Sequence, residues 1–149
     1  MNKILLVNGP NLNMLGVREP DKYGRLTLSS IVNNCSKIAK KYGYEIIDFQ
    51  SNSEGDIVSF IQKEGLEAKG LLINAGAYTH TSIAIRDAIL SVGIPFVEIH
   101  LSNVFSRESF RQHSYLSDIA IGVITGFKED SYYLGLLSLL SYLGEKVFV

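Results

Sequence analysis

The sequence predicts an α/β fold in which five parallel strands form one doubly wound sheet, with strand order 2-1-3-4-5. Short apolar runs alternate along the chain with stretches whose apolar residues recur every three to four positions, which is the pattern of consecutive βα units. Each apolar run leads into turn residues, as strand ends do. We expect the strands at residues 4–7, 44–49, 71–73, 94–97 and 119–123.

About five helices should cover the two faces of this sheet. Apolar residues recur with helical spacing between positions 28 and 42, a second such stretch includes Ile57 and Ile61, and a last helix is expected at about residues 131–143. Thr81 or Ser82 can cap a third helix. Glycines stand where the first three helices should end: Gly43, Gly65 and Gly93. The resulting topology is flavodoxin-like.

The composition predicts a single domain over residues 1–149 that binds neither nucleic acid nor a membrane. The formal net charge is -1, whereas nucleic-acid binding usually shows as a clustered basic excess. The apolar run after Lys3 is too short for a signal-peptide core or a membrane span, so a cytoplasmic location is expected. A mean hydropathy of +0.16 is slightly high and suggests surfaces buried between subunits.

Cys35 is the single cysteine, so no disulfide can form within the chain. It lies among apolar residues of the first predicted helix, and we expect a small buried side chain rather than a nucleophile.

Several kinds of site lack their sequence motifs. No Gly-x-Gly-x-x-Gly follows the first strand, no Gly-Lys-Ser/Thr occurs, and no Gly-x-Ser-x-Gly marks a serine hydrolase. The three histidines show no ligand-pair spacing, and one cysteine cannot supplement them. We therefore expect no metal ion and no nucleotide phosphate site.

Glu98 and His100 are two positions apart in a predicted strand, so their side chains should point to the same face. A carboxylate in that position can orient an imidazole and favour its protonated form, as a general acid requires. An ordinary hydrogen bond at a strand end explains the pair equally well.

Tyr23 and His80 are further candidates in predicted turns. Tyr23 lies in a long aperiodic segment, residues 11–26, that is typical of a binding lid or of disorder. A tyrosine can act as a base only if cations lower its pKa, and Arg18, Arg107 and Arg111 are candidates for that role. His80 stands at a helix start, where it can cap the helix or bind a ligand.

Five ordered motifs resemble those of the type II 3-dehydroquinate dehydratases, also called type II dehydroquinases. The resemblance covers nearly the whole chain. The motifs are Asn8-Gly9-Pro10-Asn11-Leu12-Asn13-x-Leu15-Gly16, Arg18-x-Pro20-x-x-Tyr23-Gly24, Asn74-Ala75-Gly76-x-x-Thr79-His80-Thr81-Ser82 with Arg86-Asp87-Ala88, Glu98-x-His100-x-Ser102-Asn103, and Arg107-Glu108-x-Phe110-Arg111-x-His113-Ser114.

The resemblance implies an enolate-type trans elimination of water from 3-dehydroquinate to give 3-dehydroshikimate, in the shikimate route to chorismate and aromatic amino acids or in quinate breakdown. Tyr23, as phenolate, would take the C2 proton, and Arg18 would lower its pKa and stabilise the transition state. Asn11 would hold a water against the enolate oxygen. His100, oriented by Glu98, would protonate the departing C1 hydroxyl.

The same resemblance implies how substrate is held and how subunits assemble. Asn74 and the backbone amides of Leu101 and Ser102 would bind the carboxylate, and His80 and Arg111 would bind ring hydroxyls, with Arg107 near the mouth of the site. Asp87 would reach the site of a neighbouring subunit in a homododecamer built of trimers. No cofactor and no Schiff-base lysine would take part.

One alternative from a different class stays open. A flavodoxin-like domain that binds or senses a small anion without catalysis would also place polar turns at the strand ends. Titration with flavin, nucleotide and 3-dehydroquinate separates the two interpretations.

Overall fold

A five-stranded parallel sheet forms the centre of the computed structural model, which describes residues 1–17 and 27–149. Its strand order, β2-β1-β3-β4-β5, confirms the predicted topology. Each neighbouring pair is parallel, as βα connections require. The strands are β1 (Asn2–Asn8), β2 (Tyr44–Gln50), β3 (Gly70–Asn74), β4 (Phe96–His100) and β5 (Gly122–Thr125).

Four α-helices lie in the described ranges, one fewer than expected. They are α1 (Leu28–Lys41), α2 (Glu54–Glu64), α3 (Ile83–Val92) and α4 (Asp130–Tyr142). The remaining helical turns are short 3₁₀ segments, at Leu12–Met14, Gly76–His80, Val104–Ser106 and Ser109–Arg111.

Three of these helices begin at a side-chain cap. Thr27 caps α1 by accepting a hydrogen bond from the backbone of Ser30, and Ser53 caps α2 in the same way. Ser82, rather than Thr81, caps α3, because its hydroxyl oxygen accepts the Ile85 amide at 2.9 Å. The start of α3 therefore follows directly on the turn that carries His80.

The core consists of two apolar layers, one on each face of the sheet. In β1, Ile4 and Leu6 pack in the layer under α1 and α4, whereas Leu5 and Val7 pack under α2 and α3. Successive strand residues point to opposite faces, so a strand covered on both faces is apolar without interruption. None of the helices in residues 1–17 and 27–149 is long and apolar enough to cross a membrane.

Cys35 belongs to the layer under α1, as expected for a buried side chain. Burial raises the pKa of its thiol to about 12, so the sulfur is protonated near neutral pH.

The boundaries of the last two strands were predicted two to three residues too early. β4 begins at Phe96, because Gly93 has a left-handed φ of 66° and ends α3, and the pairing with β3 starts at Phe96 opposite Leu71. At position 119 the backbone is in a turn, where the Ile119 amide bonds to the Leu116 carbonyl. The apolar residues at 94 and 119 belong to connections that pack against the sheet.

The carboxyl ends of β1 and β3 are held close together by their following turns. The Gly9 amide donates to the Asn74 carbonyl at 2.8 Å, and a Cβ at Gly9 would lie 2.1 Å from the Ala75 oxygen. Only glycine fits this approach of two backbones. The turns after the two strands therefore meet at one edge of the sheet.

Candidate active site

A pocket lies at the carboxyl edge of the sheet, between the turns after β1, β3 and β4 and the 3₁₀ segments that follow β4. It brings together eight of the residues predicted from sequence. These are Asn11, Asn74, His80, His100, Leu101, Ser102, Arg107 and Arg111.

Of the other four predicted residues, two lie away from the pocket wall and two lie outside the described residues. Glu98 lies behind His100, and Asp87 is a residue of α3 that does not line the pocket. Arg18 and Tyr23 are outside the described ranges, so the predicted base and its cationic neighbour stay predictions.

Asn11 enters the pocket from the turn after β1. It has a left-handed φ of 70°, a conformation that asparagine tolerates better than most residues. Its backbone amide donates to the Asn52 Oδ1 at 3.0 Å, which ties this turn to the segment after β2.

Glu98 and His100 form a buried pair at the end of β4. Both side chains point to the same face, and the His100 Nε2 is hydrogen-bonded to the Glu98 Oε2. Glu98 is only 1% exposed. Its second oxygen, Oε1, accepts hydroxyl hydrogen bonds from Ser114 at 3.1 Å and Ser117 at 2.6 Å.

These donors decide the charge of the carboxyl group. Burial pushes the pKa of Glu98 upward, but the hydrogen bonds and the positive charge of His100 outweigh it and hold the pKa below its ordinary value. Glu98 is therefore ionised near neutral pH. An ionised partner at Nε2 leaves Nδ1 of His100 as the nitrogen that can exchange a proton with a ligand.

His80 faces His100 across the pocket, with ring centroids 6.4 Å apart. The His80 Nδ1 lies 2.8 Å from the His113 carbonyl, and because a carbonyl only accepts, Nδ1 carries the proton. Burial lowers the pKa of His80, and together with the charges of His100 and Arg111 it outweighs the bond to the His113 carbonyl, which raises the pKa. A neutral His80 presents Nε2 as an acceptor for a hydroxyl group.

Two guanidinium groups form the basic side of the pocket. Glu108 pairs with both, since its Oε1 lies 3.2 Å from the Arg111 Nε and 3.6 Å from the Arg107 Nε. A backbone hydrogen bond and the two arginines hold the pKa of Glu108 below its ordinary value. Cations on this side suit an anionic or hydroxyl-rich ligand.

The described residues contain no group of three or more His, Cys, Asp or Glu that could hold a metal ion. The pocket residues and Glu98 can take part in proton transfer. His100 can donate a proton, Glu98 can stabilise the charged imidazole, and the amide of Asn74 can hold an oxygen of the ligand.

Sequence reasoning missed three residues that support the site. Ser117 bonds to Glu98, and Tyr132 and Asn8 support Asn74. Asn8 stood in a motif without an assigned role. Tyr132 had no sequence signal, because it is 58 positions from Asn74 and belongs to an apolar helix.

A family model described as "Dehydroquinase class II" matches residues 2–140 of the chain. The chain belongs to the class II dehydroquinase family. Two curated relatives carry the name 3-dehydroquinate dehydratase. The one from Prochlorococcus marinus (strain MIT 9301) is 55% identical over 146 residues, which cover 98% of this chain and 99% of that protein. The one from Enterobacter sp. (strain 638) is 60% identical over 129 residues, covering 87% and 86%.

Solved structures of type II dehydroquinases share the fold. The crystal structure of the type II dehydroquinase from Butyrivibrio crossotus DSM 2876 has a TM-score of 0.88 at 42% identity, covering 93% of this chain and 97% of that one. The corresponding structure from Propionibacterium acnes has a TM-score of 0.89 at 34% identity, covering 95% and 97%. The α/β fold of this chain is thus that of the type II dehydroquinases.

Proposed function

We propose that this chain removes water from 3-dehydroquinate to form 3-dehydroshikimate, as a dehydratase of the shikimate pathway or of quinate breakdown. The observation that carries the proposal is the buried Glu98–His100 pair, which faces a basic pocket in a chain of the class II dehydroquinase family. A proton donor beside cationic groups suits the loss of a hydroxyl group from a carboxylate substrate.

The elimination requires one proton to leave C2 and one to reach the C1 hydroxyl. In the proposed reaction Tyr23 takes the C2 proton, the electron pair forms an enolate with the C3 ketone, and Asn11 holds a water against the enolate oxygen. Arg18 lowers the pKa of Tyr23 and stabilises this transition state.

His100 completes the reaction. As the C1–O bond breaks, the imidazolium donates its proton to the departing oxygen, so that water leaves and a C1–C2 double bond conjugated with the ketone remains. Glu98 supports this step, because its ionised carboxylate favours the protonated imidazole before the transfer. The reaction needs no cofactor and no Schiff base.

Substrate is held by groups that line the same pocket. Asn74 and the amides of Leu101 and Ser102 bind the carboxylate. Neutral His80 accepts a ring hydroxyl through Nε2 and Arg111 donates to another, with Arg107 at the mouth. All of these are assignments that mutagenesis can test one by one.

We infer an assembly of twelve subunits built of trimers, in which Asp87 reaches a neighbouring site. Helix α3 exposes two large apolar residues on the same helix as Asp87, since Ile83 is 55% and Leu90 is 53% exposed. Contact between subunits along α3 would cover both residues and bring Asp87 near another chain. Light scattering of the purified protein at low and high concentration tests the assembly, and a monomer at all concentrations would contradict it.

The activity is tested by incubating purified protein with 3-dehydroquinate and following the reaction by proton NMR. We expect a vinyl proton signal to replace the two C2 protons. Treatment with borohydride in the presence of substrate should leave the activity intact, because no imine forms. If a folded protein gave no vinyl signal, the proposed reaction would be wrong. If borohydride abolished the activity, the proposed mechanism without an imine would be wrong.

A further inference from the structure

A chain of four polar groups runs beneath the pocket and connects β1, β3 and α4. The Gly76 amide donates to the Asn74 Oδ1 at 3.1 Å, and the Asn74 Nδ2 donates to the Tyr132 hydroxyl oxygen at 2.9 Å. The Tyr132 hydroxyl in turn donates to the Asn8 Oδ1 at 2.5 Å. The last helix thus reaches under the ends of two strands.

The direction of all three hydrogen bonds that link these four groups follows from one backbone amide. The Gly76 N–H can only donate, so the Asn74 side-chain atom that faces it is the oxygen. The nitrogen of Asn74 then faces Tyr132 and donates to its oxygen. The Tyr132 proton must therefore point to Asn8, which accepts it through Oδ1.

All three side chains are shielded from bulk solvent. Tyr132 is 0%, Asn8 is 1% and Asn74 is 3% exposed. Burial raises the pKa of the Tyr132 phenol, so the group stays neutral and keeps its proton for Asn8. Loss of the phenol would leave a buried amide donor and a buried amide acceptor without partners.

The direction of these hydrogen bonds decides which atom Asn74 can offer to a ligand in the pocket. A side-chain amide nitrogen carries two protons, and only one is used by Tyr132. With the oxygen turned to Gly76, the second N–H is the group that Asn74 can offer to a ligand. A donor in that place matches a carboxylate oxygen and not a ligand donor.

We propose that Tyr132 is a positioning residue that, anchored by Asn8, fixes the Asn74 amide with its free N–H toward the substrate carboxylate. The proposal rests on the proposed function for the identity of the substrate. Tyr132 does not touch the substrate in this scheme and acts only through Asn74.

The test compares Tyr132→Phe with Tyr133→Phe, which removes the same atom from the neighbouring residue of the same helix. Tyr133 also takes part in one hydrogen bond, accepted from Asn34 at 2.9 Å, but that bond does not involve Asn74. For Tyr132→Phe we expect KM for 3-dehydroquinate to rise about threefold to tenfold with kcat within about twofold, because Asn74 binds ground state and transition state alike. Tyr133→Phe should keep both constants.

Product inhibition gives a second readout of binding. The inhibition constant of 3-dehydroshikimate, which keeps the carboxylate, should weaken in Tyr132→Phe by the same factor as KM. An unchanged KM and inhibition constant in a folded Tyr132→Phe protein would overturn the proposal, as would an equal rise in Tyr133→Phe. Wild-type protein without turnover would instead refute the proposed function.

Asn8→Ala decides the matter if Tyr132→Phe does not fold. This variant keeps the phenol but removes its acceptor, so the Tyr132 hydroxyl loses the partner that directs its lone pairs to Asn74. We expect KM to rise, as in Tyr132→Phe, with kcat nearly unchanged. An unchanged KM in folded Asn8→Ala protein would contradict the positioning role.

Discussion

Glu98 and His100 lie on one face of β4, and the carboxylate of Glu98 is bonded at one oxygen to the His100 ring and at the other to two serine hydroxyls. The pair is buried, so its charge depends on these few partners rather than on solvent. Stabilising the imidazolium in this way is what a general acid beside a leaving hydroxyl requires.

Replacement of Glu98 by glutamine should slow the chemical step. The amide keeps the size of the side chain but removes its charge and replaces one accepting oxygen by an N–H donor, so the protonated imidazole loses its stabilising partner. For Glu98→Gln we expect kcat to fall about tenfold to a hundredfold with a small change in KM. The matched control is Glu67→Gln, at an exposed position, which should leave both steady-state constants unchanged. A kcat equal to that of the wild type would show that the Glu98 charge is not needed.

Tyr23→Phe should abolish turnover while substrate still binds. The phenol oxygen is the proposed base, and its removal leaves no group to take the C2 proton. We expect kcat to fall by at least about a hundredfold, with binding of 3-dehydroquinate by calorimetry changed little. Tyr142→Phe removes the same atom from a residue that is 61% exposed and should keep its activity. Near-native turnover by Tyr23→Phe would assign the base to another residue.

Two glycines should respond to alanine with opposite signs. At Gly9 a Cβ would lie 2.1 Å from the Ala75 oxygen, and neither backbone can move without separating β1 from β3. We expect Gly9→Ala to lower the free energy of unfolding by about 2 kcal/mol or more. Gly55 is exposed in α2, where alanine should stabilise by about 0.5–1 kcal/mol. Urea unfolding of both variants measures the difference, and equal effects would contradict the close approach at Gly9.

His80 should make stability depend on pH below neutrality. Its pKa is lower in the folded chain than the ordinary value of about 6.5, so the unfolded chain binds the proton first. The stabilisation that neutral His80 gives the folded chain is present above about pH 6.5, and it is lost as the pH falls through the pKa of His80 in the folded chain. Between about pH 7.5 and pH 5.5, the Tm of His80→Asn should fall less than that of the wild type. An equal fall in Tm for the two proteins would show that His80 does not contribute to the pH dependence of stability.

The fold class followed from the sequence because apolar strand runs alternate with stretches of helical apolar spacing, and the strand order 2-1-3-4-5 is the flavodoxin-like topology that such βα units favour. The bounds of β4 and β5 could not be predicted from the sequence. Ile94 and Ile119 are as apolar as strand residues but lie in connections, and only the pairing partners of Phe96 and Gly122 decide where the ladders begin.

The pairing of Glu98 with His100 could be predicted, since two residues of one strand depend only on the period of the strand. Contacts between distant segments could not. Ser117 reaches Glu98 from 19 positions away and Tyr132 reaches Asn8 from 124 positions away. Such contacts depend on how helices and turns pack against the sheet, and the presence of a serine or tyrosine in the sequence does not indicate its partner.

The most direct measurement is the initial rate of enone absorbance from 3-dehydroquinate with wild-type protein and with His100→Ala, both checked for folding by circular dichroism. We expect turnover by the wild type and a rate about a hundredfold to ten-thousandfold lower for His100→Ala, because the departing hydroxyl then lacks its proton donor. A folded wild-type protein that produced no enone would contradict the dehydratase function, and an undiminished rate in His100→Ala would contradict the role of the Glu98–His100 pair.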